Sequence, residues 1–446
     1  MKVLCSWIVL HGHSDIPYTS PHWLFDVIVY LIFSVWDFFG LYIFQILLTI
    51  LLGLILYYSN YKLYNQKGIA FFITCITLVL IKNFITVRAQ LVTYILFILE
   101  IYFLERYFSK SNKFYLLGLI FLSFLMANIH VAVWPFYFVL FLPYFISCIK
   151  INIDKITTEK YKGFILLIIT FILCGLVGFL TPTGNTPFTY LINTMKGNTT
   201  KNISEHLPLS MTSDLGITFI IYIIFVVLIV WFSNIKVSTK NMALFAGLSI
   251  ITISSTRQIS LFLLIMTFVT NKMLYDVYEK YKQEGIDEKS KKALNITKRF
   301  YFIPLIIFLI VVIFVYGKPK RNQKFIDTST YPVDAANFIN ENIDKENMVL
   351  FNEYNYGSYL LFKDIKVFID SRADLYTKEF NGKLDIFSDY INTSSIGVYY
   401  EETFTKYKIT HVLLYKNSKL SMLIEKDRNY NRIYLDNNFV IYERNL

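Results

Sequence analysis

The strongest constraint on this chain is a succession of apolar runs joined by short polar segments, starting at Phe38 and continuing to Tyr316. Lipid offers no water to backbone polar groups, so such runs cross a bilayer as helices, and roughly 20 residues rising 1.5 Å each span its ~30 Å core. Residues 38–58 meet that length. The runs 68–81, 91–104, 114–127, 131–149, 163–180, 216–232, 242–253, 259–270 and 300–316 are shorter, and several need tilt or snorkelling ends. Residues 22–37, HWLFDVIVYLIFSVWD, carry Asp26 and Asp37 near either end and predict a helix lying at the interface. The expected fold class is therefore a polytopic α-helical membrane protein. Residues 1–316 would hold about nine or ten membrane segments plus an interfacial helix, followed by a linker over 317–330 and a small soluble α/β domain over 331–446.

Composition agrees: 55% of the 446 residues are hydrophobic and 17% are charged, too apolar for a soluble enzyme of this length. The net charge of +11 would suggest nucleic acid in a soluble protein. Residues 317–446, however, carry 18 basic and 18 acidic side chains, leaving 25 basic and 14 acidic in the apolar part. The excess is thus the signature of basic cytoplasmic loops, and no nucleic-acid partner is needed. Cys5, Cys75, Cys148 and Cys174 are scattered through apolar segments and form neither a disulfide framework nor a zinc motif. Residues 1–10 are apolar but too few to span a bilayer, and they show no signal-peptide cleavage site.

Orientation follows from the joints. Segments 59–67, 106–113, 150–162, 234–241 and 271–299 hold 19 basic residues; the alternate side, without the C-terminal domain, holds six. The first set is predicted to be cytoplasmic, and 271–299 to be a solvated cytoplasmic helix and loop. The outer face then collects most of the membrane-level polar groups: the stretch His11 to Asp26, Arg88 with Gln90, Asn128 with His130, the long loop 181–215, and Arg257 with Gln258. Ionisable groups beside apolar spans cost free energy and tend to face a cavity or a partner.

In the C-terminal domain, YPVDAANFINENI reads as a helix with Pro332 early, and MVLFN, KVFID and ITHVLLY read as strands. RIYLD and FVIYERN suggest a closing hairpin across Asn437 and Asn438.

Several constellations could carry chemistry. His11, His13, His22, Asp15 and Asp26 are residue types that bind a divalent metal or act as acid and base, although their spacing matches no metal motif; a wet interfacial loop is the plain alternative. Arg88 and Arg257 sit just outside apolar runs, where a guanidinium can grip phosphate or serve as an interfacial anchor. Asn128 and His130 fall between two runs with almost no loop, either lining a cavity or forming a packing pair. Asp370, Arg372 and Asp374 follow a predicted strand, a position suited to ligand binding or to an internal salt bridge.

The layout resembles the GT-C class of polytopic glycosyltransferases, in particular a little-characterised bacterial branch. The likeness is carried by PYTSPHWLFDVIVY, VRAQ at Arg88, MANIH at His130, TPTG and SEHLP in the long loop, and GSYLLF with FIDSRADLY in the C-terminal domain. It implies transfer of a sugar from a polyprenyl-phosphate donor to an envelope glycan or protein at the outer membrane face, by inverting displacement. Asp15 or Asp26 would be the general base, with His130 or His206 assisting. Arg88 or Arg257 would bind the phosphate, and His22, Gln90, Asn128, His206, Asp370 and Arg372 would line the substrate. The resemblance fixes no cofactor and leaves the need for a divalent metal ion open. The class opens on a full transmembrane helix and an acidic first loop where this chain has ten apolar residues. The expectation is either upstream sequence that completes the helix or a truncated, non-catalytic copy. Thr181 and His206 also stand where the class has Asn and Trp. The alternative from another class is a membrane scaffold or envelope-assembly protein that binds a partner through its outer domain. A transporter is a weaker third, for no inverted repeat or paired broken helices are visible.

Overall fold

A computed structural model describes residues 20–148, 156–157, 163–283 and 326–445. The expectations for residues 1–10, His11, His13 and Asp15, for the apolar run 300–316 and for most of the linker lie outside these residues. The described residues form two compact units: 20–191 with 204–283, and Ile192–Ile203 with 326–445.

The first unit is helical. Its elements are α1 (Trp23–Tyr64), α2 (Lys67–Leu80), α3 (Ala89–Lys110), α4 (Phe114–Ile129), α5 (Trp134–Ser147), α6 (Phe164–Leu176), α7 (Thr186–Lys196, which continues into the other unit), α8 (Asp214–Ser233), α9 (Thr239–Ser254) and α10 (Ile259–Gln283). Among the described residues, three helices are long and apolar enough to cross a membrane: Trp23–Tyr64, Asp214–Ser233 and Thr256–Lys282. The apolar helices Lys67–Leu80, Phe114–Ile129, Val131–Ser147 and Phe164–Phe179 are shorter, in the range of 10–17 residues.

Within α1, two helical segments meet at a kink at Asp37, where φ is 53° and ψ −150°. A charged residue in an otherwise apolar run is a natural place for that break. Gly40 lies inside it, where a Cβ would come within 2.6 Å of Trp36 Cβ. The predicted boundary between interfacial and spanning segments thus coincides with the kink. At the other end of the unit, α10 continues as one helix from Ile259 to Gln283 and absorbs the first part of the segment read as a cytoplasmic helix and loop. Lys272 and Asp276, four residues apart and 2.5 Å from each other, support that continuation, and the Asn271 amide donates to the Asn60 carbonyl at 2.9 Å.

Burial separates the helices into two kinds. Along α3, twelve of 22 residues are buried, and it packs against α1, α4, α5 and α10. By contrast, α1 and α8 turn large apolar side chains outward, with Trp36 64% and Phe232 76% exposed. Apolar side chains facing both inward and outward are the pattern of a helix surrounded by lipid. A buried ion pair fixes α3 to α9: Lys240 Nζ lies 2.9 Å from Glu105, which also accepts a hydrogen bond from the Tyr144 hydroxyl at 2.9 Å.

The second unit is built on a four-stranded mixed sheet, ordered β3-β4-β6-β5, from β3 (Leu350–Asn352), β4 (His411–Tyr415), β5 (Tyr430–Leu435) and β6 (Phe439–Arg444). The numbers β1 and β2 belong to a short parallel pair in the helical unit, Ile156–Thr157 with Val237–Ser238. Strands β3 and β4 are parallel, and the other pairings are antiparallel. Alternation gives the sheet two apolar faces. Val412, Leu414, Val440 and Tyr442 join one core, and Leu413, Phe439 and Ile441 join the other. Helices cover both: α11 (Val333–Asn342) with Tyr356 and Leu360 on one face, and Phe387, Phe404 and Ile424 on the other. The hairpin closes where expected, with the Asp436 carboxylate accepting the Asn438 and Phe439 N–H groups at 2.8 and 2.7 Å.

The segment KVFID is a correction, since it is not a strand of this sheet. The Asn352 side chain takes the place of a neighbouring strand, accepting from Phe368 N at 2.9 Å and donating to the Ile369 carbonyl at 2.8 Å. Gly357 makes this close approach feasible, because a Cβ there would lie 2.0 Å from the Ile369 oxygen.

Candidate functional site

The candidate site of the helical unit is assembled at helix ends. His22 is the residue before α1, and the Ser20 hydroxyl caps the turn by accepting from His22 N at 3.2 Å and donating to the Asp26 carboxylate at 2.5 Å. The Pro21 carbonyl accepts from Val131 N at 3.0 Å, which ties this entry to the joint between α4 and α5. His130 occupies that joint, and its ring centroid lies 4.5 Å from that of His22 with the planes tilted by 37°.

Thr93, in the first turns of α3, fixes the tautomer of His130. Its hydroxyl is 2.9 Å from both the Ala89 carbonyl and His130 Nδ1. A helical Thr gives its one proton back to the carbonyl four residues earlier, so His130 donates from Nδ1 and keeps a lone pair on Nε2. That nitrogen is buried and has no hydrogen-bond partner among the described residues.

Arg257 lies in the 3₁₀ turn Thr256–Gln258, before α10. It is half-buried, and its guanidinium has no carboxylate or hydrogen-bond partner among the described residues. Its field reaches both imidazoles. Burial, reinforced by Arg257, lowers the His22 pKa to about 4. Burial, with His22 and Arg257 adding to it, holds His130 well below the usual histidine range. Both rings are therefore neutral at pH 7, and Arg257 is the cation of the cluster.

The turn Ser204–His206 packs against the Arg257 turn. Thr256 N donates to the Leu207 carbonyl at 2.9 Å, and the Ser255 hydroxyl to that of Glu205 at 3.3 Å. His206 is thereby brought to the same end of the unit. Glu205 meets Arg88, the residue before α3, at 3.3 Å in an exposed pair. Gln90 donates to the Tyr94 hydroxyl one turn away at 2.6 Å.

Three predicted substrate residues are committed elsewhere. The Asn128 amide accepts from Trp23 Nε1 at 3.2 Å and donates to the Phe124 and Leu180 carbonyls at 2.9 and 3.2 Å, so it holds the frame of the cluster together. Asp370 and Arg372 belong to the C-terminal unit and close on each other. The Arg372 Nε lies 2.9 and 3.1 Å from the Asp370 oxygens, and Nη2 lies 2.5 Å from Oδ2. The Tyr376 hydroxyl and Arg372 N complete the set at 2.7 and 2.8 Å. Asp26 is exposed at the start of α1. Asp15 lies outside the described residues.

Thr93, Trp23 and Glu205 are participants that sequence reasoning did not single out. Thr93 reads as part of an apolar run, and Glu205 stands 117 residues from Arg88, so no local spacing reveals either. Among the described residues, no three His, Cys, Asp or Glu side chains are grouped so as to hold a metal ion. What the cluster offers chemically is a cation without a counter-ion beside a buried nitrogen lone pair, a combination suited to an anion that also carries a hydrogen-bond donor. No protein-family model matches this chain, and no curated protein matches it.

Proposed function

We propose that this chain is a multi-pass membrane glycosyltransferase of the GT-C type, moving a sugar from a polyprenyl-phosphate donor to an envelope glycan or protein at the outer membrane face. The observation that carries the reading is Arg257, a half-buried guanidinium without a counter-ion among the described residues, set beside two neutral histidines. A donor phosphate supplies the missing charge. In the reaction a carboxylate, Asp26 or Asp15, takes the acceptor hydroxyl proton as its oxygen attacks the anomeric carbon. The bond to the phosphate oxygen breaks, and Arg257 stabilises the charge that develops there. The His130 lone pair accepts a hydrogen bond from a sugar hydroxyl.

The outward apolar faces of α1 and α8 support a membrane setting. The Lys and Arg distribution supports the outer side for the long loop, and within the C-terminal unit Asn198 of that loop donates to the Ser388 hydroxyl at 2.8 Å.

The test is transfer from a synthetic polyprenyl-phosphate sugar by the purified protein and by Asp26→Asn, Asp15→Asn and Arg257→Ala variants. Loss of turnover in Arg257→Ala and in one Asp variant is expected. Retained activity in all three would remove these residues from the mechanism, and a wild-type protein without transfer or donor binding would favour the scaffold.

A further inference from the structure

A polar concavity lies in the helical unit, away from the histidine cluster, in segments assigned by their lysines to the cytoplasmic side. It is a cavity of about 130 Å³ lined by Lys236, Ser238, Asn241, Lys272 and Asp276, with room for a small polyatomic anion. Its floor is the start of α9. The Ser238 hydroxyl caps that helix by accepting from Asn241 N at 3.3 Å, and the helix is 16 residues long, so its dipole presents positive charge to the cavity.

Three observations beyond the helix end point to a ligand. Asn241 is 93% buried, lines the cavity, and its side-chain amide has no hydrogen-bond partner among the described residues. The side-chain amide of this residue keeps its hydrogen-bonding capacity for whatever occupies the cavity. Lys236 is exposed and pairs with no carboxylate among the described residues. Lys272 is held at 2.5 Å by Asp276, the one acid of the lining. The lining thus carries two lysines against one carboxylate, a net single positive charge added to the helix dipole.

We infer that this cavity binds a phosphate group carrying about one negative charge, with Lys236 as counter-ion and the Asn241 amide as donor. The phosphodiester of an anionic lipid headgroup and free inorganic phosphate share this chemistry. Basic juxtamembrane sites facing an anionic leaflet are suited to the former. This inference is independent of the glycosyltransferase reading, because it uses none of the residues of the outer cluster.

The experiment is thermal unfolding of the purified full chain in a zwitterionic detergent. It is titrated with short-chain phosphatidylglycerol, with phosphatidylcholine of the same chains, and with sodium phosphate against sodium chloride at equal ionic strength. A saturable rise of the midpoint with phosphatidylglycerol and none with phosphatidylcholine is expected. A rise with inorganic phosphate that phosphatidylglycerol does not extend would also support the site and identify free phosphate as its ligand. Lys236→Gln, a surface change, should weaken the apparent affinity about fivefold, the effect of one lysine near an anionic headgroup. Asn241→Asp, of the same size but negatively charged, should abolish the response. No midpoint change with either phosphate source, or the same titration curve in wild type and Lys236→Gln, would overturn the assignment.

Discussion

The two units handle buried charge in opposite ways. In the C-terminal unit the Asp370 carboxylate is fully buried and every hydrogen bond it can accept comes from its own neighbourhood, Arg372 and Tyr376. In the helical unit Arg257 and His130 Nε2 have no hydrogen-bond partner among the described residues. The first arrangement specifies a fold, and the second leaves room for a ligand. A charged residue after a strand or between two spans reads the same in sequence, and only the closure of its network tells which of the two it is.

That contrast breaks most visibly if the closed network is opened. Asp370→Ala removes the buried carboxylate that holds Arg372 and the Tyr376 hydroxyl and should cost the C-terminal unit about 3–5 kcal/mol, read as lost hydrogen-exchange protection in β3, β4 and β6. Arg257→Ala should do the reverse. Transfer should fall about a hundredfold, as when a group stabilising transition-state charge is removed. Unfolding free energy should meanwhile change by less than about 0.5 kcal/mol, measured in the same preparation.

Acid should separate the units further. The folded-state pKa of His22 is depressed to about 4 from an unfolded 6.5, so the stability it leaves intact above pH 6.5 is lost as pH falls through 4. Discounted for its partial exposure, that loss is on the order of 2 kcal/mol. Glu353 has the opposite sign. Burial raises its carboxyl to about 7, with a hydrogen bond from Tyr415 N only partly opposing it. Its contribution is therefore present below the unfolded value of 4.5 and lost as pH rises through 7. Between pH 4.5 and 6.5 acid should destabilise the helical unit and stabilise the C-terminal one. His22→Asn should flatten the first slope and Glu353→Gln the second, as followed by exchange protection in each unit. The smallest effect is expected at Arg88. Its pair with Glu205 is exposed on both sides, and Arg88→Ala should change stability by less than about 0.5 kcal/mol in chemical denaturation.

Much of the fold was legible because its signals are local. Asp37 marks the kink in α1, and Asn437 with Asn438 marks the hairpin. KVFID suits a strand by pattern, yet it forms only an isolated β-bridge at Val367, and Phe368 and Ile369 are bound by the Asn352 side chain, which no periodicity announces. The expected solvated helix at the start of 271–299 is the end of α10, which the Lys272 and Asp276 spacing supports.

The site divides in the same way. The alternation of basic joints predicts that His22, Arg88, His130, His206 and Arg257 share one face. Their partners were not legible. Asn128 was assigned to substrate since the carbonyls that occupy it, Phe124 and Leu180, are backbone groups common to every residue. Glu205 becomes a neighbour of Arg88 only after the long loop has folded back onto the Arg257 turn.

The measurement that tests the open cluster most directly is a titration of the purified protein with a polyprenyl phosphate, in wild type and in Arg257→Ala. Saturable binding that is lost in Arg257→Ala and kept in Arg372→Ala that still folds is the predicted result. Equal binding by wild type and Arg257→Ala, or none by wild type, would contradict the reading of Arg257 as a phosphate ligand.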